Sequence, residues 1–371
     1  MRINLDSGLL EIKGLKNQMR MDGRVIAGGI GNVMPAEEDS VEWGQYYDDI
    51  SGEALNPQLV KKAREEEMRE FKKHGVYTKV DIQEAWRVTG KGPIDVRWVD
   101  INKGDIKEPE YRSRLVAKEI NRGKREDLFA ATPPLEAKKV LFTLAVTEGV
   151  GIQSGRDSMK LDFIDVRRAY FHALSRREVY IKLPDEDREE GKCGKLNKSM
   201  YGTRDAAQNW EFAYVEFMEE IGFKRGVGSP CVFWNADQEL RAVIHGDDVT
   251  VLGHPEQLDW FRSSIQDRFE VKFRGRLGPG IKDDKSIRIL NRVVEWTDQG
   301  IKYEADQRHA EIIIKQLGLN DRSKPVVTPG SKETGEDSSE EALLGREVTL
   351  FRAMVARANY LAQDRSDIGI A

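Results

Sequence analysis

Residues Leu240-Arg-Ala-Val-Ile-His-Gly-Asp-Asp-Val-Thr-Val-Leu252 set two apolar, β-branched runs on either side of His245-Gly246-Asp247-Asp248. Gly-Asp between such runs predicts a β-hairpin, because glycine accepts the positive φ that tight hairpin turns need. The tip then carries two adjacent acids, which is costly unless a cation neutralises them, and a divalent metal would do so. Taken alone, a Gly-Asp-Asp tip is more simply a solvated acidic turn. The weight therefore falls on whatever acids other strands bring to it.

One such strand is Lys160-Leu-Asp-Phe-Ile-Asp-Val-Arg-Arg-Ala-Tyr-Phe171, a short apolar run ending in acid and followed by a compact turn. Asp162 and Asp165 are an odd number of residues apart, so a regular strand points them to opposite faces and only one can join a shared site. Upstream, Asn56-Pro57 predicts the start of a helix that closes near Gly75, with Asn as N-cap and Pro at the first helical position. Residues 94–100 and 111–118 alternate like two strands joined by a polar turn at 102–105. In the second of these, Arg112, Arg114 and Lys118 share parity and form a basic stripe, which suits phosphates as well as it suits a solvated outer face.

Further helices are predicted over 135–146, 206–221, 255–269, 305–319 and 349–361, and further strands over 179–184 and, as a pair around 297–300, within 286–303. The aromatic stripe of the 206–221 helix, which includes Trp210, Tyr214 and Phe217, reads as core. Residues 1–55 read as a poorly ordered leader, 56–320 as the folded body, and 321–371 as an acidic linker followed by a helix.

Composition excludes several classes. No run approaches the roughly 18 apolar residues of a membrane span, and the N-terminus lacks the apolar core of a signal peptide. Cys193 and Cys231 are too few for a disulfide framework or a zinc cluster and read as reduced core thiols. An intracellular protein with no membrane partner is expected. The net charge of −5 argues at first against nucleic acid, but residues 36–50 carry six acids and no base, and 333–347 carry six acids against Arg346. Setting those segments aside leaves a mildly basic body, compatible with phosphate binding.

The order of elements is α+β, and one antiparallel sheet can bring the end of the 160–166 strand beside the 246–248 tip. Carboxylates converging from different strands are what a two-metal phosphoryl-transfer site needs.

At this point a family resemblance carries more than any single motif. Asp165-Val-Arg-Arg-Ala-Tyr-Phe, Lys198-Ser-Met-Tyr-Gly and the hairpin Asp-Asp, in this order, resemble the palm motifs of Ty1/copia-type retrotransposon reverse transcriptases. Tyr111-Arg-Ser-Arg-Leu-Val-Ala-Lys118 resembles the family's fingers segment K-A-R-L-V-A-K, and Asp127-Leu-Phe-Ala-Ala-Thr-Pro-Pro-Leu-Glu136 its E-T-F-A-P-V stretch. Leu196 to Trp210 follows L-x-K-S-L-Y-G-L-x-Q-x-x-x-x-W. Phe351-Arg-Ala-Met-Val-Ala and Arg365-Ser-Asp-Ile resemble the boundary before the family's RNase H domain, a region expected to be missing here, as in a fragment of a Pol polyprotein.

The resemblance implies a right-hand polymerase fold, with fingers, an antiparallel palm sheet carrying the Gly-Asp-Asp hairpin, and a short helical thumb or connection. It implies RNA-directed DNA polymerase activity, a nucleotidyl transfer adding dNTPs to a primer on an RNA or DNA template in a retrotransposon particle, cytoplasmic or nuclear. Asp165 and Asp247 would bind two Mg²⁺ or Mn²⁺ ions, with Asp248 supporting them. Tyr170 would close the sugar pocket against a ribose 2′-hydroxyl, Arg114 and Lys118 would hold the incoming triphosphate, and Gly202 would let the backbone approach the template base pair. The resemblance leaves the oligomeric state open.

The chain departs from the family at the hairpin, usually Tyr-Val-Asp-Asp. With His245 and Gly246 there, the aromatic near the primer end is lost and glycine is expected to cost backbone order. Two other readings are a catalytically decayed or repurposed nucleic-acid-binding remnant and an RNA-dependent RNA polymerase, which also carries Gly-Asp-Asp. Tyr170 argues against the latter, whose pocket must accept the 2′-hydroxyl.

Overall fold

The computed structural model describes residues 46–105, 108–120, 130–305, 307–324 and 343–365. They fall into two compact units, one running to Asp284 and one from Lys285 onward. Among the described residues no helix is long and apolar enough to cross a membrane.

The first unit begins with strands β1 (Tyr46–Tyr47) and β2 (Ala54–Leu55), helix α1 (Pro57–His74), β3 (Tyr77–Asp81), α2 (Ile82–Thr89), β4 (Val96–Asn102) and β5 (Tyr111–Ala117). Then come α3 (Leu135–Ala145), β6 (Lys160–Val166), α4 (Ala169–His172), β7 (Tyr180–Ile181), β8 (Lys192–Leu196), α5 (Ala206–Glu220), β9 (Lys224–Arg225) and β10 (Val232–Asn235). It closes with β11 (Leu240–His245), β12 (Asp248–Gly253), α6 (Pro255–Arg268) and β13 (Val271–Leu277).

Local chemistry accounts for the first helix. The Asn56 side chain accepts from the Gln58 and Leu59 amides, Pro57 needs no amide partner, and Gly75 ends the helix in the left-handed region at φ 59°. Residues 46–55, placed in the leader by the sequence, form the β1–β2 hairpin. The rest of that leader, together with 127–129 of the stretch that resembles E-T-F-A-P-V, 325–342 of the acidic linker and 366–371, lies outside the described residues.

The organising layer is a six-stranded antiparallel sheet in the order β13-β6-β12-β11-β10-β9. Its register separates two faces. Ile164, Val249, Ala242, Ile244 and Val251 share one face and join Trp210, Tyr214 and Phe217 of α5 and Leu258, Phe261 and Ile265 of α6 in the main core. Phe163, on the other face, meets Phe142 of α3 at a ring separation of 6.5 Å. A second core joins Met68 and Phe71 of α1 to Leu115, Ala117, Phe171, Ile181 and Met200.

In the second unit, β14 (Ser286–Ile289), β15 (Arg292–Thr297) and β16 (Gly300–Glu304) form a meander, followed by α7 (Gln307–Gln316) and α8 (Arg346–Ala362). The sequence predicted two strands here. Leu290 and Asn291, both at positive φ (44° and 62°), make an additional two-residue turn of the kind that joins twisted hairpins. Leucine gives no signal for that conformation. Buried Arg292 is held by Asp364 at 2.6 Å and by the Tyr360 hydroxyl at 2.7 Å.

Candidate active site

The hairpin turn is made by Gly246 and Asp247 alone, because His245 pairs with Asp248 across it. Gly246 adopts φ +64°, as the first residue of such a turn requires. Its carbonyl oxygen accepts from Trp210 Nε1 at 2.7 Å. The helix read as plain core thus also fixes the turn, and the order that glycine was expected to cost is supplied from outside the hairpin.

Asp248 and Asp165 are direct partners in the antiparallel β12–β6 register, and Lys272 is the partner of Asp165 on β13. Directly opposed residues share a face, so both carboxylates stand on the same side of the sheet. Asp247 joins them from the turn: its carbonyl oxygen accepts the Val166 amide at 2.8 Å, which ties the tip to the end of β6. Asp247 keeps an open side to solvent, yet the protein atoms around it raise its carboxyl above the usual range, and the Asp248 and Asp165 charges raise it further.

Asp162 behaves as its spacing predicted. It is 1% exposed on the opposite face, in a bidentate ion pair with Arg276 at 2.6 and 2.8 Å. Burial raises its pKa even against that guanidinium.

Tyr170, on α4, is half-buried with its ring centroid 4.9 Å from Tyr201. Burial and then the Asp247 charge raise its phenol, while Arg114 opposes them. The alternation of β5 holds, with Ser113, Leu115 and Ala117 buried and Arg112 and Arg114 on the other side. Arg114 lies 4.8 Å over the Tyr201 ring, and its positive charge opposes the rise in the Asp247 pKa. Lys118 stands one residue beyond β5, exposed, with its amide bonded to the Asp95 carbonyl; among the described residues no recorded contact joins its side chain to the carboxylates.

Gly202 sits at φ +84°, and a Cβ there would lie 2.0 Å from the Ala117 carbonyl oxygen. Its neighbour Tyr201 accepts the Ala117 amide through its carbonyl at 2.8 Å. The visible requirement for glycine is this close backbone packing against β5.

Three participants went unread in the sequence. Val271-Lys-Phe-Arg-Gly-Arg-Leu277 alternates apolar and basic residues, and that pattern could have revealed β13. A bulge between Phe273 and Gly275 leaves Arg274 without a partner in the β6 register, and its Nη1 lies 3.1 Å from Asp248 Oδ1. Lys103 lies near Arg112 and Arg114; burial and those charges lower its pKa, and Asp165 opposes them. Buried Glu67 of α1 bonds Arg168; no local sequence signal announces it.

The donor set fits hard divalent cations. It consists of carboxylate oxygens from two strands and a turn, close enough that the Asp248 and Asp165 charges raise the pKa of Asp247, and Asp248 is ion-paired with Arg274. Apart from these aspartates, Glu70, His74 and Glu270 bring one ligand atom each within 4.8 Å of one another. Lys73 Nζ, 2.5 Å from Glu270, already neutralises it.

The family model described as reverse transcriptase (RNA-dependent DNA polymerase) matches residues 76–290. The Retrovirus-related Pol polyprotein from transposon TNT 1-94 of Nicotiana tabacum is 26% identical over 310 residues, covering 78% of this chain and 22% of its own length. The Retrovirus-related Pol polyprotein from transposon RE1 of Arabidopsis thaliana is 23% identical over 288 residues, covering 75% of this chain and 18% of its own length. The chain thus spans about a fifth of these relatives. A solved foamy viral protease-reverse transcriptase in complex with double-stranded DNA aligns with 81% of this chain and 41% of its own, at 12% identity and TM-score 0.39.

Proposed function

The chain belongs to the copia-type reverse transcriptase (RNA-dependent DNA polymerase) family, and from that premise we propose that it adds deoxynucleotides to the 3′-hydroxyl of a primer on an RNA or DNA template. The observation that carries this reading is the convergence of Asp165, Asp247 and Asp248 beside Tyr170 and Arg114. In it, the six-stranded sheet is the palm, α1 and the β4–β5 hairpin belong to the fingers, and residues 56–320 make up the polymerase region. Residues 321–371 lead toward an RNase H region.

Asp165 and Asp247 would hold two Mg²⁺ or Mn²⁺ ions, with Asp248 completing the anionic face. When bound, such ions favour the attacking alkoxide and neutralise the leaving oxygen. The chain's own task is mainly positioning. Tyr170 would close the sugar pocket against a ribose 2′-hydroxyl, with the Tyr201 ring 4.9 Å from its own as support. Arg114 offers a fixed planar cation to a phosphate, and Lys118 extends the basic stripe. The primer 3′-oxygen attacks the α-phosphorus, the bond to the bridging oxygen breaks, and pyrophosphate leaves. In this reading synthesis would take place inside the cell, in a retrotransposon particle, cytoplasmic or nuclear.

The test is primer extension by purified protein on a primed RNA template with Mg²⁺ or Mn²⁺. Deoxynucleotide incorporation that Asp247→Asn abolishes is the expected result. Binding of primer-template without extension would establish a non-catalytic remnant instead, and preference for ribonucleotides would establish an RNA polymerase.

A further inference from the structure

Resting on the polymerase reading above, we propose that Glu67 is a positioning residue that locks the turn after β6 and thereby sets the Tyr170 wall of the nucleotide pocket.

Four residues separate Asp165 on the strand from Tyr170 on the helix, and the chain reverses at Arg168. Arg168 takes φ +49°, a left-handed conformation that strains a non-glycine residue. Backbone bonds brace both sides of it. The Val166 amide donates to Asp247 O and the Arg167 amide to Glu270 O, while Arg168 O accepts the Phe171 amide, each at 2.8 Å. Arg168 itself is held through its side chain, by Glu67 Oε2 at 3.2 Å from Nε and by Glu70 Oε2 at 3.6 Å from Nη1.

Glu67 is an improbable residue for its place on grounds of stability alone. It is 4% exposed, on the α1 face that also buries Val60, Ala63, Met68 and Phe71. Its Oε1 is buried with no hydrogen-bond partner among the described residues. An apolar side chain there would avoid the desolvation of a carboxylate. What the carboxylate supplies is a directed bond to the strained turn, and a negative charge facing Arg112 and Arg114 of the basic stripe. Helix α1, which carries none of the family's acidic motifs, is coupled through this pair to the sugar side of the site.

Glu67→Gln, alone and with Arg168→Gly, tests the inference, because glycine holds the left-handed turn without strain. Hydrogen exchange of residues 165–173 in the free protein is expected to speed up by about tenfold or more in Glu67→Gln, with the rest of the unit unchanged. In primer extension the KM for dNTP rises and deoxy-over-ribo discrimination falls by about tenfold, while the Kd for primer-template stays within about twofold. Adding Arg168→Gly restores both slow exchange and discrimination. Unchanged exchange at 165–173 in Glu67→Gln overturns the inference, as does a loss of protection across the whole unit that Arg168→Gly fails to rescue. Should the wild type never extend a primer, the polymerase reading falls, and the exchange measurement still decides whether Glu67 holds the turn.

Discussion

Asp165 on β6 and Asp248 on β12 stand directly opposite each other in an antiparallel register, two like charges on one face of the sheet. Facing like charges destabilise a strand pair by a few tenths to about 1 kcal/mol. Arg274 relieves Asp248, and the remaining excess of negative charge is what bound cations would neutralise. Asp165→Asn is therefore expected to raise Tm in metal-free buffer by about 1–3 °C while lowering primer extension by at least about a hundredfold. Thermal melts with and without Mg²⁺, beside an extension assay, check it; a lower Tm with intact extension would contradict the assignment.

Tyr170 is braced by Tyr201 and stands close enough to the carboxylates to feel the charge of Asp247. Tyr170→Ala is expected to raise ribonucleotide incorporation relative to deoxynucleotide by about tenfold or more, since the discriminating contact is steric. Single-nucleotide incorporation with each substrate measures the ratio. An unchanged ratio would remove Tyr170 from the sugar pocket.

At Gly202 the structural demand is explicit. Any Cβ there meets the Ala117 carbonyl, and the backbone is left-handed. Gly202→Ala is expected to destabilise the fold by about 2 kcal/mol or more, through strain and displacement from β5. Denaturant unfolding measures this, and a loss of activity with full stability would instead point to a direct role at the template.

Asp162 and Asp165 lie on the same strand and serve different ends. Asp162→Asn removes the buried carboxylate of the Arg276 pair, leaves Arg276 the exposed Asp259 alone among its described ion-pair partners, and is expected to cost about 1–3 kcal/mol. At a temperature where the variant stays folded, its KM for dNTP is expected to match wild type. A selective change in KM would bring Asp162 into the site.

Burial, and then the neighbouring His74, push His172 down to about 4. The unfolded chain titrates near 6.5, so it binds more protons than the folded one between the two values. Stability is full above pH 6.5 and is lost as pH falls toward about 4, by at most about 1.4 kcal/mol per pH unit from this group. Tm measured from pH 7.5 to 5 is expected to fall less steeply in His172→Gln than in wild type.

The sequence by itself determined what is local. The Asn56-Pro57 and Gly75 boundaries, the Gly246 turn and the opposite faces of Asp162 and Asp165 all depend on residues a few positions apart, where capping, φ preference and strand period act. Tertiary structure decided which distant elements meet. The Asp165–Asp248 register, the bulge that brings Arg274 to Asp248 and the Trp210 bond to the turn each join segments with no local signal for one another. The additional strand of the 286–304 meander, β14, reaches β15 through a left-handed Leu290, which intrinsic preference opposes and strand pairing imposes. Glu67 is the clearest case: nothing in its neighbours along the chain marks it, and only packing of α1 against the β6–α4 turn buries it beside Arg168.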